Sequence, residues 1–290
     1  MNTMAKRRFK PWLMLSPTLL AYLFLLTIPA LFVAVYSFWL GSATTLATRE
    51  WTLDNWASLF ADPFYWAILW QTARIALLAT LGCALLGYPV AYFLARSRIK
   101  NKSLLMLLLL LPFWISYIIR TLSWINILGA DGLVNSMLRS MGIIHAPLQL
   151  LYNEAAVIMG LMQYLLPFMI LNVYVVLDGL DRNVEASAAT LGAAPFRVFL
   201  EVTLPLSMPG LAAGSLLCFV LGGGTYVTPM ILGGPRNAMF AQLIYDTIIV
   251  QLDWPMGAAM SMLLLVLLTG LVMLYNRFVG LGQVYKSLAA

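Results

Sequence analysis

The stretch Leu104-Leu-Met-Leu-Leu-Leu-Leu-Leu-Pro-Phe-Trp-Ile-Ser-Tyr-Ile-Ile-Arg-Thr-Leu-Ser-Trp-Ile-Asn-Ile-Leu128 sets the solvent in which this chain folds. It holds one charge, Arg120, and follows the basic turn Arg96, Arg98, Lys100, Lys102. A bilayer crossing needs about 20 mostly apolar residues, so this run is long enough to span. Five other stretches share its character: about Trp12–Leu40, Ala67–Ala95, Ala155–Leu177, Leu206–Leu232 and Pro255–Phe278. The sequence therefore predicts an all-α membrane protein with six transmembrane helices. Pro89, Pro112, Pro167 and Pro229 fall within or beside these spans, where neighbouring helices can satisfy the freed carbonyls.

Composition points the same way. Of 290 residues 62% are apolar and 10% charged, against about 25% charged in soluble domains. The net charge of +6 is spread in short clusters beside apolar runs, not gathered into the stripe that nucleic acid requires. Cys83 and Cys218 lie in apolar stretches and read as small buried hydrophobes rather than a disulfide. His145 is the only histidine, and no cluster has metal-ligand spacing. No phosphate-binding GxxxxGK[ST] loop occurs, so ATP is not bound here by that device.

Orientation follows from Lys and Arg alone. With the N-terminus inside, 12 of the 17 fall on inner segments, three (Arg49, Arg139, Arg236) on outer loops, and Arg74 and Arg120 within spans. That asymmetry predicts both termini in the cytoplasm. The basic start Lys6, Arg7, Arg8, Lys10 resembles a signal peptide, but the apolar run behind it is too long and lacks a cleavage pattern, so it reads as a retained anchor. The expected organisation is a cytoplasmic N-terminus over 1–11, a first helix and outer loop over 12–66, a five-helix core over 67–280, and a cytoplasmic tail over 281–290. Trp51, Trp56, Trp66 and Trp254 fit interfacial anchoring, and a short outer helix is expected over Leu133–Met141.

One inner segment, 178–205, carries mechanism. Asn183 is a candidate N-cap and Glu185 lies in the first turn, where a negative charge suits the helix dipole. Small residues follow, Gly192 ends the helix, and Pro195 opens a second one; Pro205 begins the return to the membrane. A small-residue helix–turn–helix suits close approach by another protein's groove; an ordinary helical loop is the alternative.

The segment resembles the Glu-Ala-Ala loop of binding-protein-dependent ABC importer permeases. Gly192 is followed at the family's spacing by Val202, Leu204 and Pro205, while the family's Glu position falls on Ala186 and the acid stands one place earlier, at Glu185. Thr225-Tyr-Val-Thr-Pro229 with Leu232-Gly-Gly-Pro235, Asn55-Trp56, Asp62-Pro63 and Ile119-Arg120-Thr121 are similar to the spermidine/putrescine branch. The resemblance covers roughly 50–280. It implies a type I ABC importer permease fold in a bacterial inner membrane. It further implies a second homologous permease, two ATPase subunits that carry ATP and Mg, and an extracytoplasmic solute-binding protein. On this reading Glu185, Ala186, Ser187, Ala188, Gly192, Val202, Leu204 and Pro205 couple to an ATPase, and the chain holds no cofactor and is no enzyme.

For the translocation path the candidates are Tyr117, Arg120, Trp124, Thr225 and Tyr226. Arg120 is costly in the bilayer, at least about 2.5 kcal/mol on insertion scales, and Tyr117 and Trp124 share its helical face at i−3 and i+4. Many polyamine permeases carry Glu where Thr225 stands. Either a partner permease supplies acids for a polyamine, or the solute is zwitterionic or anionic, of opine or phosphonate type. A secondary active transporter is the alternative class; it needs inverted repeats, and none is evident in the sequence.

Overall fold

The computed structural model describes residues 15–279 apart from 19, 43, 44 and 98. Lys6, Arg7, Arg8, Lys10, Arg98 and Lys286, on which part of the charge asymmetry rests, lie outside the described residues, as does the Arg49 side chain. In chain order the elements are α1 (Leu15–Tyr36), a hairpin of β1 (Trp39–Ser42) and β2 (Thr45–Trp51), α2 (Asp54–Ala61), and the long α3 (Pro63–Arg96). Next come α4 (Lys102–Leu110), α5 (Tyr117–Leu128), α6 (Leu133–Ser140) and α7 (Glu154–Gly179). The short α8 (Arg182–Thr190) leads into α9 (Pro195–Gly223), α10 (Phe240–Val250) and α11 (Trp254–Val279).

Five of these helices, α1, α3, α7, α9 and α11, are long and apolar enough to cross a bilayer. The third crossing in chain order is not one helix. The apolar run 104–128 breaks after a 3₁₀ turn at Leu111–Trp114, and the two pieces Lys102–Trp114 and Tyr117–Ser140 meet at 87°. Pro112 has no N–H to donate and clashes with a continuing helix, while Ser116 is extended with ψ 132°. Hydropathy is blind to such a break, because both halves are equally apolar.

The fifth crossing also differs from its expected limits. It begins at Pro195 and passes through Pro205 without interruption, by way of a π-helical turn at Phe199–Thr203. It ends at Gly223, not Leu232. Pro205 is therefore not the re-entry point: at the second position of its α-helical part, the missing N–H costs little. The run Gly222-Gly-Gly224 ends the helix, and a separate π turn, Pro229–Gly233, follows.

The chain divides into two compact units. The first comprises the residues up to Pro63 with Ile244–Val266. In it the expected outer loop 41–66 is a hairpin and a helix. Asn55 Nδ2 donates to the carbonyls of Ser37 (3.1 Å) and Trp39 (2.9 Å), so α2 is pinned to the chain leaving α1. Trp56 stacks on Phe38 with centroids 6.0 Å apart. The second unit, Phe64–Leu243 with the chain from Leu267 onward, has its core where α3, α7 and α9 meet, around Ile75, Ala79, Cys83, Leu165, Met169 and Cys218. On α9 small residues recur every fourth position: Gly210, Gly214, Cys218, Gly222, all buried. A Cβ on Gly210 would stand 2.8 Å from the Asn172 carbonyl oxygen, and one on Gly214 2.9 Å from Met169 Sδ. Close helix contact through small residues is how apolar helices associate in lipid. Both thiols, Cys83 of α3 and Cys218 of α9, face α7: Cys83 Sγ is 3.7 Å from the Met162 carbonyl oxygen and Cys218 Sγ 3.5 Å from that of Leu165.

Candidate functional site

The segment 178–205 forms the helix–turn–helix its sequence suggests, with one change of cap. Asp181, not Asn183, is the N-cap of α8, its carboxylate accepting from the Asn183 N–H at 2.9 Å. Gly192 adopts φ +87°, a left-handed conformation that costs a non-glycine residue about 1–2 kcal/mol. Its N–H donates to Ala189 O (3.0 Å) and the Ala193 N–H to Ala188 O (3.2 Å), closing the end of α8. No atom lies within 4 Å of a Cβ built at Gly192, so the turn projects into open space.

The candidate coupling residues divide by environment. Ala186, Ser187, Gly192 and Pro205 are exposed; Ala188, Val202 and Leu204 are half-buried. Glu185 faces the helices rather than solvent: its Oε1 accepts from Arg96 Nη2 at 2.7 Å and from the Thr203 hydroxyl at 2.9 Å. Two residues absent from the sequence-based set stand out. Leu191 is 89% exposed and Phe196 72%, flanking the turn on either side. Their only sequence signal is an apolar residue on each side of a glycine turn.

The second constellation lies where the break at Leu111–Ser116 meets the residues just after α9. Arg120 is 9% exposed; its Nη1 donates to the Pro112 carbonyl at 2.9 Å, across the break. Its guanidinium carbon sits 5.5 Å from the centroid of Phe113 and 6.0 Å from that of Tyr117, within cation–π range. Tyr117 OH hydrogen-bonds Thr228 Oγ1 and stands 3.2 Å from Thr225 Oγ1, so the start of α5 is tied to the residues just after α9. Tyr164 and Phe168 of α7 extend the aromatic group, with Tyr117–Tyr164 centroids 4.8 Å apart and Phe113–Phe168 5.1 Å apart. Trp124 Nε1 donates to Gln163 Oε1 at 2.6 Å.

Thus Tyr117, Arg120 and Thr225 are brought together. Trp124 engages Gln163 instead, and Tyr226 is exposed. Phe113, Tyr164, Gln163 and Thr228 escaped sequence reading, since aromatic, amide and hydroxyl side chains in apolar runs carry no spacing signal. Arg74, which the sequence puts within a span, is paired with Glu154 at the start of α7.

Comparison with known proteins places these features. Residues 87–279 match the model of the family described as binding-protein-dependent transport system inner membrane component. The spermidine/putrescine transport system permease protein PotB of Haemophilus influenzae is 36% identical over 255 residues, covering 88% of this chain and 89% of the relative. PotB of Escherichia coli K12 is 34% identical over 250 residues, covering 86% and 90%. Among solved structures, a chain of a bacterial alginate ABC transporter, crystallised with an alginate-bound periplasmic protein, superposes with TM-score 0.73 at 18% identity over 94% of both chains. That likeness concerns the fold. The match over residues 87–279 and the identity to both permeases settle the family: this chain belongs to the binding-protein-dependent transport system inner membrane components, as a multi-pass permease of the bacterial inner membrane.

Proposed function

We propose that this permease forms half of the translocation path of an ABC importer for polyamines and receives the ATPase stroke through 178–205. A second homologous permease completes the path, two ATPases dock on the cytoplasmic side, and a solute-binding protein delivers the solute. Both termini and 178–205 are cytoplasmic on this reading, which the 12-to-3 distribution of Lys and Arg supports.

The observation that carries the coupling role is the pair Leu191 and Phe196, exposed on either side of an open left-handed glycine turn. Apolar knobs on a rigid turn are what a protein groove can bury, and aromatic anchors dominate such contacts. The polyamine reading leans on the two permease relatives and on the aromatic faces of Phe113, Tyr117, Tyr164 and Phe168, which suit ammonium groups. Arg120 does not speak against it, because its charge is held by the Pro112 carbonyl and two rings of its own chain.

The test is uptake of labelled spermidine into proteoliposomes holding the assembled transporter. ATP-dependent uptake that excess putrescine suppresses, and that an anionic phosphonate leaves alone, is expected. Suppression by the phosphonate but not by putrescine would overturn the substrate class while leaving the transporter class intact.

A further inference from the structure

Three donors converge on one oxygen of Glu185. Arg96 Nε reaches Oε1 at 3.0 Å, Arg96 Nη2 at 2.7 Å, and the Thr203 hydroxyl at 2.9 Å. The remaining guanidinium nitrogen, Nη1, donates to the Leu177 carbonyl at 3.1 Å. One side chain at the last residue of α3 therefore holds α8, the final turn of α7 and, through the shared carboxylate, α9. Arg96 and Glu185 are 12% and 21% exposed, and Thr203 is buried. Among the described residues this is the only ion pair linking α8 to a membrane-spanning helix.

Charge-assisted bonds in so poorly solvated a place are short and directional. The planar fork of Arg satisfies carboxylate and carbonyl at once, which a point-like ammonium cannot do. Neighbouring cations brace the same spot: Arg182 Nη2 and Lys102 Nζ both donate to the Ala95 carbonyl, at 3.0 and 2.9 Å, where the C-terminal end of a helix favours positive charge. A second contact between the same helices lies one turn deeper, with Phe199 edge-on to Tyr88 (5.7 Å) and Tyr92 (5.6 Å).

We propose that Arg96 is a positioning residue for transport: it makes α8 and the turn at Gly192 move as one body with α3, α7 and α9. The inference rests on the reading of 178–205 as the ATPase-docking segment. Glu185 then serves the permease itself, and the docking surface is left to the exposed residues around Gly192. Without the Arg96 fork, α8 would still dock but could swivel on its flanking loops, so hydrolysis would proceed with little solute moved.

The experiment uses the full transporter with its ATPases and solute-binding protein, measuring ATPase co-purification, complex yield, and solute imported per ATP hydrolysed. For Arg96→Met we expect unchanged co-purification and a roughly tenfold fall in solute per ATP; Arg96→Lys, which keeps the charge but not the fork, should fall about threefold. Wild-type stoichiometry in Arg96→Met would overturn the proposal. So would a drop in complex yield with the surviving complex importing at the normal ratio, since Arg96 would then only stabilise the fold. Phe196→Asp keeps the two inferences apart: if that variant retains its ATPase and its uptake, the docking reading itself fails, whatever Arg96 does.

Discussion

Two arginines of the same unit, Arg120 buried and Arg96 nearly so, are compensated in opposite ways. Arg96 meets one oxygen of the Glu185 carboxylate, which the Thr203 hydroxyl shares, and a helix-end carbonyl, all at 3.1 Å or less. Arg120 meets one carbonyl, that of Pro112, and two aromatic faces. The first arrangement is a closed ion cluster joining four helices. The second shows a single hydrogen bond from the guanidinium among the described residues and sits beside the break at Leu111–Ser116 and the end of α9. A closed cluster suits a part that must transmit force unchanged; a sparser one, beside a broken crossing, suits a part that must rearrange or meet a solute. On the proposed reading the segment 178–205 is the stiff part, and the region around Arg120 is the part that yields.

The comparison can be broken first at the stiff end. Gly192→Arg places a charged side chain at φ +87°, where nothing in this chain lies within 4 Å. The permease should fold and reach the membrane, since left-handed strain costs only about 1–2 kcal/mol. Uptake should fall about 100-fold or more, because on the proposed reading the open space is where the ATPase docks. Uptake above a tenth of wild type, with normal complex yield, would remove the turn from the coupling path.

A smaller effect is expected at the yielding centre. Arg120→Gln retains a donor for the Pro112 carbonyl but loses the cation–π contacts, each worth about 0.5–2 kcal/mol. Uptake should fall about tenfold, with complex yield and basal ATPase within twofold of wild type. A matching loss of yield would make Arg120 a splint across the break and nothing more. Thr228→Val tests the same region more finely: the side chain is fully buried and keeps its shape, but Tyr117 loses one partner. A lost hydrogen bond of about 1 kcal/mol predicts a change of about fivefold in uptake affinity at unchanged yield.

The smallest effect belongs to Arg74. Its pair with Glu154 is 49% and 28% exposed, and exposed ion pairs contribute about 0–1 kcal/mol. Arg74→Gln should leave both thermal stability and uptake within twofold of wild type. A large loss would give the paired end of α7 a role like that of the Arg96 cluster.

How much of this the sequence carried depends on the reach of each interaction. Gly192 and Pro195 announced the turn because their effects are local: a left-handed cap and a fixed φ act within a few residues. The broken third crossing was hidden, since Leu104–Leu111 and Tyr117–Leu128 are both apolar and only Pro112 hints at the break. The end of α9 was legible in Gly222-Gly-Gly224, yet the apolar residues beyond carry the hydropathy on to Leu232. The four-residue glycine spacing on α9 likewise marks its packing face. Glu185 and Arg96 lie 89 positions apart, and Arg120 finds its partner in a carbonyl, a group every residue possesses. No residue pattern encodes either partnership: the first arises from the packing of α3 against α8 and α9, the second from the fold of the chain across the break at Leu111–Ser116.

The central claim is that the turn around Gly192 is where this permease receives the ATPase. It is tested most directly by placing a photoactivatable cross-linking residue at Phe196 in the assembled transporter and identifying what it captures on illumination. The account predicts a covalent adduct with the ATPase subunit, at a yield that survives Arg96→Met and is lost with Gly192→Arg. Capture of the solute-binding protein would put the segment on the other side of the membrane, and lipid adducts alone would leave it without a partner; either result contradicts the account.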